Sequence, residues 1–360
     1  MVCNIGGAEC HSYGAQMVTR ALTAAFISPP IGIGSGIVAQ LSTPEEYARK
    51  LGWWVLLTIL GTSAGPLIMG FVVQYTRVEF IYWIFAGMNL LLALGYVLLG
   101  IETRRAPEGT RGAEDFASPV HSFAQRLRPR RIDPRPIKAS DFVVPLRLVK
   151  NPRILMSALA TTVSFCYANI VLVVEMPIAF GEKFHLDAQA TGLQFIPVII
   201  GCVIGEQVGG PLSDYFMKVS RKRNGHVLPG HRLWLTYIGF ATIFAGLLVW
   251  GFQLEHSESW NVTPCIGVAI ASFGNQIQST ILTAYAIDSS PRDAASVGVF
   301  FNLTRLLFGF TGPFYFPYMF ESLGFIGAAG LMCGLVVIGG LIPVVVVHAV
   351  GSRKPPSDNA

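Results

Sequence analysis

Long apolar runs are the sequence feature that most restricts what this chain of 360 residues can fold into. A helix that crosses a bilayer needs about 20 mostly apolar residues. Hydrophobic residues make up 52% of the chain and charged residues 13%, which is about half the charged fraction of a soluble domain. We therefore predict an all-α polytopic membrane protein with about nine transmembrane helices, near residues 14–40, 52–74, 80–100, 155–179, 190–212, 233–252, 262–285, 294–319 and 325–349.

The basic residues predict which side of the membrane each connection faces. Residues 102–153 carry twelve Lys and Arg residues against six acidic ones. Because this stretch lies between apolar segments, it indicates a cytoplasmic loop facing anionic lipid rather than a nucleic-acid-binding segment. With this loop inside, 22 of the 26 Lys and Arg residues fall on the cytoplasmic side and two fall outside. The pattern predicts a cytoplasmic C-terminus, and we expect the plasma membrane rather than the vacuolar membrane.

An internal repeat divides the chain. Ser42-Thr43-Pro44-Glu45-Glu46 and Ser289-Ser290-Pro291-Arg292-Asp293 are 247 residues apart, and Gly65-Pro66 matches Gly312-Pro313 at the same offset. Parallel repeats are typical of one large class of transporters. The repeat predicts a partial N-terminal bundle with three helices in 1–100, a basic cytoplasmic linker at 101–154, a C-terminal six-helix bundle in 155–349 and a cytoplasmic tail at 350–360. Helices in 155–252 have no counterpart before residue 14, so we expect a first half that lacks three spans.

Two strings of small and polar residues resemble motifs of a known family. Gly61-Thr62-Ser63-Ala64-Gly65-Pro66, with Gly70, is similar to the antiporter motif on the fifth helix of the major facilitator superfamily. Gly205-Glu206-Gln207-Val208-Gly209-Gly210-Pro211-Leu212-Ser213-Asp214, followed by Arg221-Lys222-Arg223-Asn224-Gly225 and His231-Arg232-Leu233, is similar to the Gly-x-x-x-Asp loop after the eighth helix. Residues 12–350 thus resemble a fungal member of the drug:proton antiporter-like group of this superfamily.

The resemblance implies a truncated major facilitator superfamily fold and suggests roles for the motif residues. Residues 14–100 would be helices four to six and 155–349 helices seven to twelve, with helices one to three absent. Gly65 and Pro66 are expected, with Gly61, to shape the contacts and bending of their helix. Asp214 is expected to cap its span or to form a two-state latch with the basic residues that follow it, and a solvated loop charge is the alternative. Those basic residues are Arg221, Lys222 and Arg223.

Charged side chains inside spans cost on the order of 3 kcal/mol each and so need a reason to be there. Glu206 has Gly209 and Gly210 at i+3 and i+4, which clear space beside it. A carboxyl group in low dielectric can exchange protons, so Glu206 is a candidate proton carrier. The alternative is a gate contact with the basic loop at 218–223.

Two further charged residues are candidates for proton coupling. Arg20 resembles the arginine of the family's fourth-helix motif, although Thr23-Ala24 replaces the usual Gln-Gly. The alternative for Arg20 is an arginine that snorkels to the headgroups. Glu175 is expected one turn from the outer end of its span, either at the membrane interface or as an external proton or cation site.

The polar residues within spans are candidates for a substrate-binding surface. Arg305 is mid-span and is expected to face a cavity, for an anionic substrate group or a structural ion pair. Asn302 shares its helical face. Asn275, Gln278 and Tyr285 share one face of another span, because they are spaced at i, i+3 and i+10. This face is expected to line a cavity, and hydrogen bonding between helices is the alternative. The candidates beside Arg305 and Asn302 are Asn169, Asn275, Gln278 and Tyr285.

These features predict a secondary active transporter of small organic solutes or drugs, with proton antiport by alternating access. A non-transporting truncated protein and an uncoupled facilitator are the alternatives. No nucleotide-binding motif, catalytic triad or metal-ligand spacing is visible in the sequence, so we expect neither an enzyme nor a cofactor or metal site. The expected partners are membrane lipid, a small-molecule substrate and protons, without nucleic acid, and we expect a monomer when the protein is full length.

Overall fold

A computed structural model describes residues 1–10, 12–42, 47–99, 143–224, 229–290 and 293–351. Within these ranges every regular element is a helix. The α-helices are α1 Val2–Ala8, α2 Tyr13–Leu41, α3 Tyr47–Tyr75, α4 Glu79–Leu99, α5 Val144–Arg147, α6 Pro152–Phe165, α7 Val171–Phe184, α8 Ala188–Leu193, α9 Ile196–Asn224, α10 Trp234–His256, α11 Thr263–Ser289, α12 Ala294–Val336 and α13 Ile342–Gly351. Short π-helices join α6 to α7 at Cys166–Ile170 and α12 to α13 at Val337–Leu341.

Each of the nine predicted spans lies largely within the described helices, and the all-α fold is confirmed. In the described part of the chain, seven helical stretches are long and apolar enough to cross a membrane. Two features explain why nine spans were predicted but seven stretches qualify. Residues 294–349 count as one stretch of 56 residues, although a helix crosses the bilayer core in about 20, and Gly324 breaks the helix with φ 67° and ψ 177°. Helix α11 is not among the seven, and it carries many buried polar side chains.

Two helices extend further than the apolar pattern predicted. The span expected at 155–179 continues to Phe184, where His185 adopts a left-handed conformation and ends the helix. The span expected at 190–212 continues to Asn224, through the charged residues after Pro211. Hydropathy marks where a helix leaves the apolar core, whereas the backbone pattern of hydrogen bonds continues into the polar region. Most of the predicted linker at 101–154 and of the repeated turns lies outside the described residues.

The described chain forms two compact units. The first comprises residues 1–28 and 76–144, in which α1 packs on α4. Gly7 lies close enough to the ring of Tyr82 that a Cβ atom there would be 3.2 Å from it. The second comprises residues 29–75 and 145–360 and contains a continuous buried core.

Helix α11 lies at the centre of the second unit, because small residues let its neighbours approach closely. It packs against α9 and α10 along most of its length. A Cβ atom at Gly246 would overlap the backbone of α11, and one at Gly267 would overlap the backbone of α10. Such close backbone contacts are typical of membrane helices. They bury the polar face of α11 and so create the sites described next.

Candidate functional site

Glu206 is a carboxylate buried between helices. It is 3% exposed, and its Oε2 accepts hydrogen bonds from Gln276 Nε2 at 2.8 Å and Thr280 Oγ1 at 2.7 Å, both on α11. Its Oε1 has no hydrogen-bond partner. The two bonds satisfy one oxygen, as buried polar groups require, and leave the other without a partner among the described residues.

Two glycines make room for the unpartnered oxygen. A Cβ atom at Gly210 would lie 2.8 Å from Oε1, and one at Gly52 of α3 would overlap that oxygen. Helix α3 therefore covers Oε1 with bare backbone.

A group of buried charged and polar side chains lies at the predicted cytoplasmic end of α9. Arg232 is 2% exposed, and its Nη1 donates to Ser213 Oγ at 3.0 Å and to Asp214 Oδ1 at 3.3 Å. Its Nε forms an ion pair with Asp288 Oδ2 at 3.0 Å, without hydrogen-bond geometry. We call these four residues the Arg232 cluster. It joins α9 and α11 to the short helical turn at Pro229–Leu233.

Asp214 also ties this cluster to α3. Its Oδ2 accepts the backbone N–H of Arg49 at 3.2 Å, in the first turn of α3. A carboxylate at a helix N-terminus is stabilised by the unsatisfied N–H groups there and by the helix dipole. The contact therefore lasts only while α3 and α9 lie together.

Asp214 was predicted to cap its span or to pair with Arg221, Lys222 and Arg223. The side chains of these three residues lie outside the described part of the structure, so that pairing stays a prediction. Among the described residues Asp214 pairs with Arg232, which the sequence analysis quoted within the motif without giving it a partner. Asp288 was missed as well. A hydropathy pattern treats each charged residue separately, whereas Arg232 and Asp288 come together only through helix packing.

The antiporter-like string on α3 makes its close contact at its end. A Cβ atom at Gly61 or Gly65 would meet nothing within 4 Å among the described residues. The contact falls at Gly70, where a Cβ atom would lie 2.7 Å from Ala188 O on α8. Pro66 lies inside the continuous helix, and its carbonyl faces Gly192.

The polar face predicted on α11 is fully buried. Asn275 and Gln278 are 0% exposed and Tyr285 is 2% exposed. Gln278 Nε2 donates to the carbonyl of Ala160 on α6 at 3.1 Å, which is an interhelical bond of the kind expected for the alternative interpretation. Neither polar atom of the Asn275 side chain has a partner, and Gln278 Oε1 has none.

Arg305 is buried and lacks a polar partner. It is 6% exposed, its Cζ lies 4.4 Å from the centre of the Phe165 ring, and its Nε makes no hydrogen bond. Among the described residues, no carboxylate pairs with it. Asn302, predicted on the same face, is half-buried and donates to the Gly298 carbonyl at 3.0 Å.

The π-helix between α6 and α7 adjoins Arg305. Asn169 lies within it, is 1% exposed and has an unpartnered Nδ2. Tyr167, also in the π-helix, shares a 2.9 Å hydrogen bond with Tyr315 of α12 through their hydroxyl groups. A π-helical turn widens the backbone and is frequent at functional sites. Sequence analysis missed both tyrosines, because no pattern marks a π-turn.

The two remaining proton-coupling candidates lie apart in the chain and differ in exposure. In the first unit, Arg20 is exposed, and its Nη2 donates to the hydroxyl of Tyr82 at 2.7 Å. In the second unit, Glu175 is 5% exposed with an unpartnered Oε1. Because its helix runs on to Phe184, Glu175 lies more than two turns from the helix end rather than one. Its place at the membrane interface or as an external proton or cation site stays a prediction.

The six cysteines are free thiols, and no group of three or more His, Cys, Asp or Glu side chains in the described ranges could hold a metal ion. The described polar chemistry thus consists of carboxylates, two buried guanidinium groups, and neutral amides and hydroxyls. The fold and these buried groups define a polytopic helical membrane protein with polar side chains in its interior.

Comparison with known proteins identifies the family. A sequence model of the Major Facilitator Superfamily matches residues 2–313, and the chain belongs to that superfamily. It is therefore a multi-span integral membrane protein of a transporter family, as the sequence resemblance predicted.

Similar proteins include fungal efflux pumps and a human transporter of known structure. The chain is 27% identical to the probable efflux pump mfs2 of Aspergillus flavus over 95% of its own length and 82% of that protein. It is 26% identical to the efflux pump radE of Floropilus chiversii over 82% of its length, and it spans 55% of that protein. Among solved structures, the human organic anion transporter MFSD10 matches with a TM-score of 0.58 and 17% identity, over 96% of this chain and 74% of that one. That likeness concerns the fold.

Proposed function

We propose that this chain exports a small organic solute in exchange for protons, by alternating access, and that Glu206 carries the proton. The relatives named efflux pumps favour export. The observation that carries the proposal is the carboxylate of Glu206, with one oxygen doubly hydrogen-bonded and the other unpartnered.

The two oxygens of Glu206 allow the carboxyl group to change its charge without losing its position. Gln276 and Thr280 donate to Oε2 whether the group is charged or neutral, because the carbonyl oxygen of a neutral carboxyl also accepts. A proton added at Oε1 disturbs neither bond. The two groups that bond to the carboxyl, Gln276 and Thr280 of α11, are neutral. The backbone of Arg49, a basic residue of α3, lies beside Gly210, and the closest carboxylate on the same helix, Asp214, is about two turns away.

Helix α3 couples the proton to the conformation. When α3 packs on α9, Gly52 covers Oε1 and Asp214 binds the N-terminus of α3. When the two helices separate, Oε1 is exposed to water and the Asp214 contact is broken. Glu206 then serves both as proton carrier and as part of the gate, and the Arg232 cluster keeps Asp214 in place for the return. Arg20 and Glu175 remain candidates for secondary coupling roles.

The test is flux in proteoliposomes that contain the whole chain. Three aromatic probes of matched shape and different charge would be offered under an imposed pH gradient: naphthoate, naphthamide and naphthylmethylammonium. We expect gradient-driven flux of at least one probe, and we expect Glu206→Gln to lose the dependence on the gradient. Glu258→Gln, at an exposed position after α10, is the matched control and should behave like the unchanged protein.

Each outcome separates the alternatives. Flux that ignores the pH gradient and survives Glu206→Gln indicates an uncoupled facilitator and contradicts the proton-carrier role. Absence of flux for all three probes contradicts transport by this chain.

A further inference from the structure

The buried guanidinium of Arg305 lies in a contact seam between two helical segments. Thr162 and Thr304 share a hydrogen bond of 3.1 Å, Phe165 stacks on Arg305, and Tyr167 bonds to Tyr315. Residue numbers rise together on both sides, so the segments run parallel. We call this the Arg305 seam, and define it by these three pairs. It lies within the second compact unit.

Arg305 has a charge that no described carboxylate balances. Its contact with Phe165 uses one face of the planar group, as cation–π contacts do. Its in-plane N–H groups donate to no described residue, and its Nε is buried and unpartnered. An unpaired charge away from water is costly, so a group with this geometry is expected to meet an anion.

The fork of N–H groups and the surrounding side chains indicate what kind of anion fits. A guanidinium edge binds a planar carboxylate through two parallel hydrogen bonds. One turn beyond Phe165, the buried Nδ2 of Asn169 is a further unpartnered donor. Tyr167 and Tyr315 use one of their two hydroxyl hydrogens in the bond between them. The nearest described partner for the second hydrogen is the Cys166 sulfur, 4.0 Å from the Tyr315 hydroxyl.

Aromatic rings line the same seam beyond Arg305. Tyr167 has its ring centre 6.4 Å from Phe308 and 6.4 Å from Phe316, in edge-on and tilted contacts. Tyr167 and Phe316 are buried, so an aromatic ligand would meet the edges and faces of these rings by inserting between the two segments. The charge, the donors and the rings together therefore suit a flat aromatic body that carries a carboxylate.

We propose that the Arg305 seam binds an aromatic organic anion, whose carboxylate pairs with the guanidinium of Arg305. This assigns a substrate class to the proposed function and rests on it for transport, but binding itself is independent of a gradient. A binding experiment without a gradient therefore separates the two: bound ligand without flux contradicts the proposed function alone.

The experiment is calorimetric titration of the whole chain in phosphatidylcholine nanodiscs. Naphthoate is expected to bind at least about tenfold more tightly than neutral naphthamide, because only the anion makes a charge-assisted bond. Chloride at equal concentration should not displace naphthoate. Equal binding of the two naphthyl probes, no binding of naphthoate, or displacement by chloride would each overturn the proposal.

Three variants test the assigned residue. Arg305→Gln should weaken naphthoate about 10- to 100-fold and leave naphthamide unchanged, which removes the discrimination. Arg305→Lys keeps the charge but lacks the forked N–H groups, so its affinity for naphthoate should lie between that of the unchanged protein and that of Arg305→Gln. Tyr315→Phe should weaken both probes alike and preserve the discrimination. If Arg305→Gln does not yield a monodisperse protein, the comparison of naphthoate with naphthamide on the unchanged chain still decides. Naphthoate binding by a folded Arg305→Gln protein at the original affinity would contradict the assignment.

Discussion

Replacing Arg232 with methionine tests how strongly the Arg232 cluster holds the second unit together. Methionine keeps most of the volume but removes the charge, and it leaves Asp214 and Asp288 without their shared partner. The lost contacts are the 3.0 Å bond to Ser213, the 3.3 Å bond to Asp214 and the 3.0 Å ion pair with Asp288. Hydrogen bonds to charged groups contribute about 1.5–3 kcal/mol each, and removing one partner of a buried pair costs about 3–5 kcal/mol. We therefore expect a loss of about 3–5 kcal/mol in the free energy of unfolding.

The measurement is equilibrium unfolding in mixed micelles, with Arg77→Met as control because Arg77 is exposed. Most of the cost comes from stranded carboxylates, so Arg232→Met combined with Asp214→Asn and Asp288→Asn should recover most of the lost stability. The asparagine at 214 can still accept the N–H of Arg49 through its amide oxygen. The reasoning is refuted if Arg232→Met unfolds like the Arg77 control, or if the triple variant is less stable than the single one.

Two further substitutions test the packing, each with a glycine control on the same helix. Gly52→Ala should displace the Glu206 carboxylate from Gln276 and Thr280 and lower gradient-driven flux about tenfold, equivalent to about 1.4 kcal/mol. Gly61→Ala, at a position in open space, should leave the flux unchanged. Equal flux in both variants would contradict the covering role of α3. Gly324→Ala should destabilise by about 1–3 kcal/mol, because its backbone conformation is nearly restricted to glycine, while Gly330→Ala should be neutral or stabilising by up to about 1 kcal/mol; thermal unfolding of the two variants decides.

The helices and the family were predictable from the sequence, because apolar length and small-residue motifs are local signals. The described helices contain most of each predicted span, although two of them extend further, and the family is confirmed. The position of Glu206 beside Gly210 was also visible, since both lie on one helix. Its partners Gln276 and Thr280 were not, because they come from a helix about 70 residues away and depend on how two helices face each other.

Other parts of the site depend on packing in the same way. The crossing of α3 with α8 decides which glycine of α3 is in close contact, and it falls at Gly70. Arg232 meets Asp214 from α9 and Asp288 from α11, and no local pattern in the sequence brings these three residues together.

The account depends on one event, the separation of α3 from α9 when Glu206 changes its protonation. The direct test is a spin-label distance between Leu57 on α3 and Tyr215 on α9, both exposed, in a background without the native cysteines. We expect two distance populations whose ratio changes between acidic and alkaline pH, and a single ratio at every pH in Glu206→Gln. A distance distribution that does not respond to pH in the unchanged protein, or that responds equally in Glu206→Gln, would contradict the account.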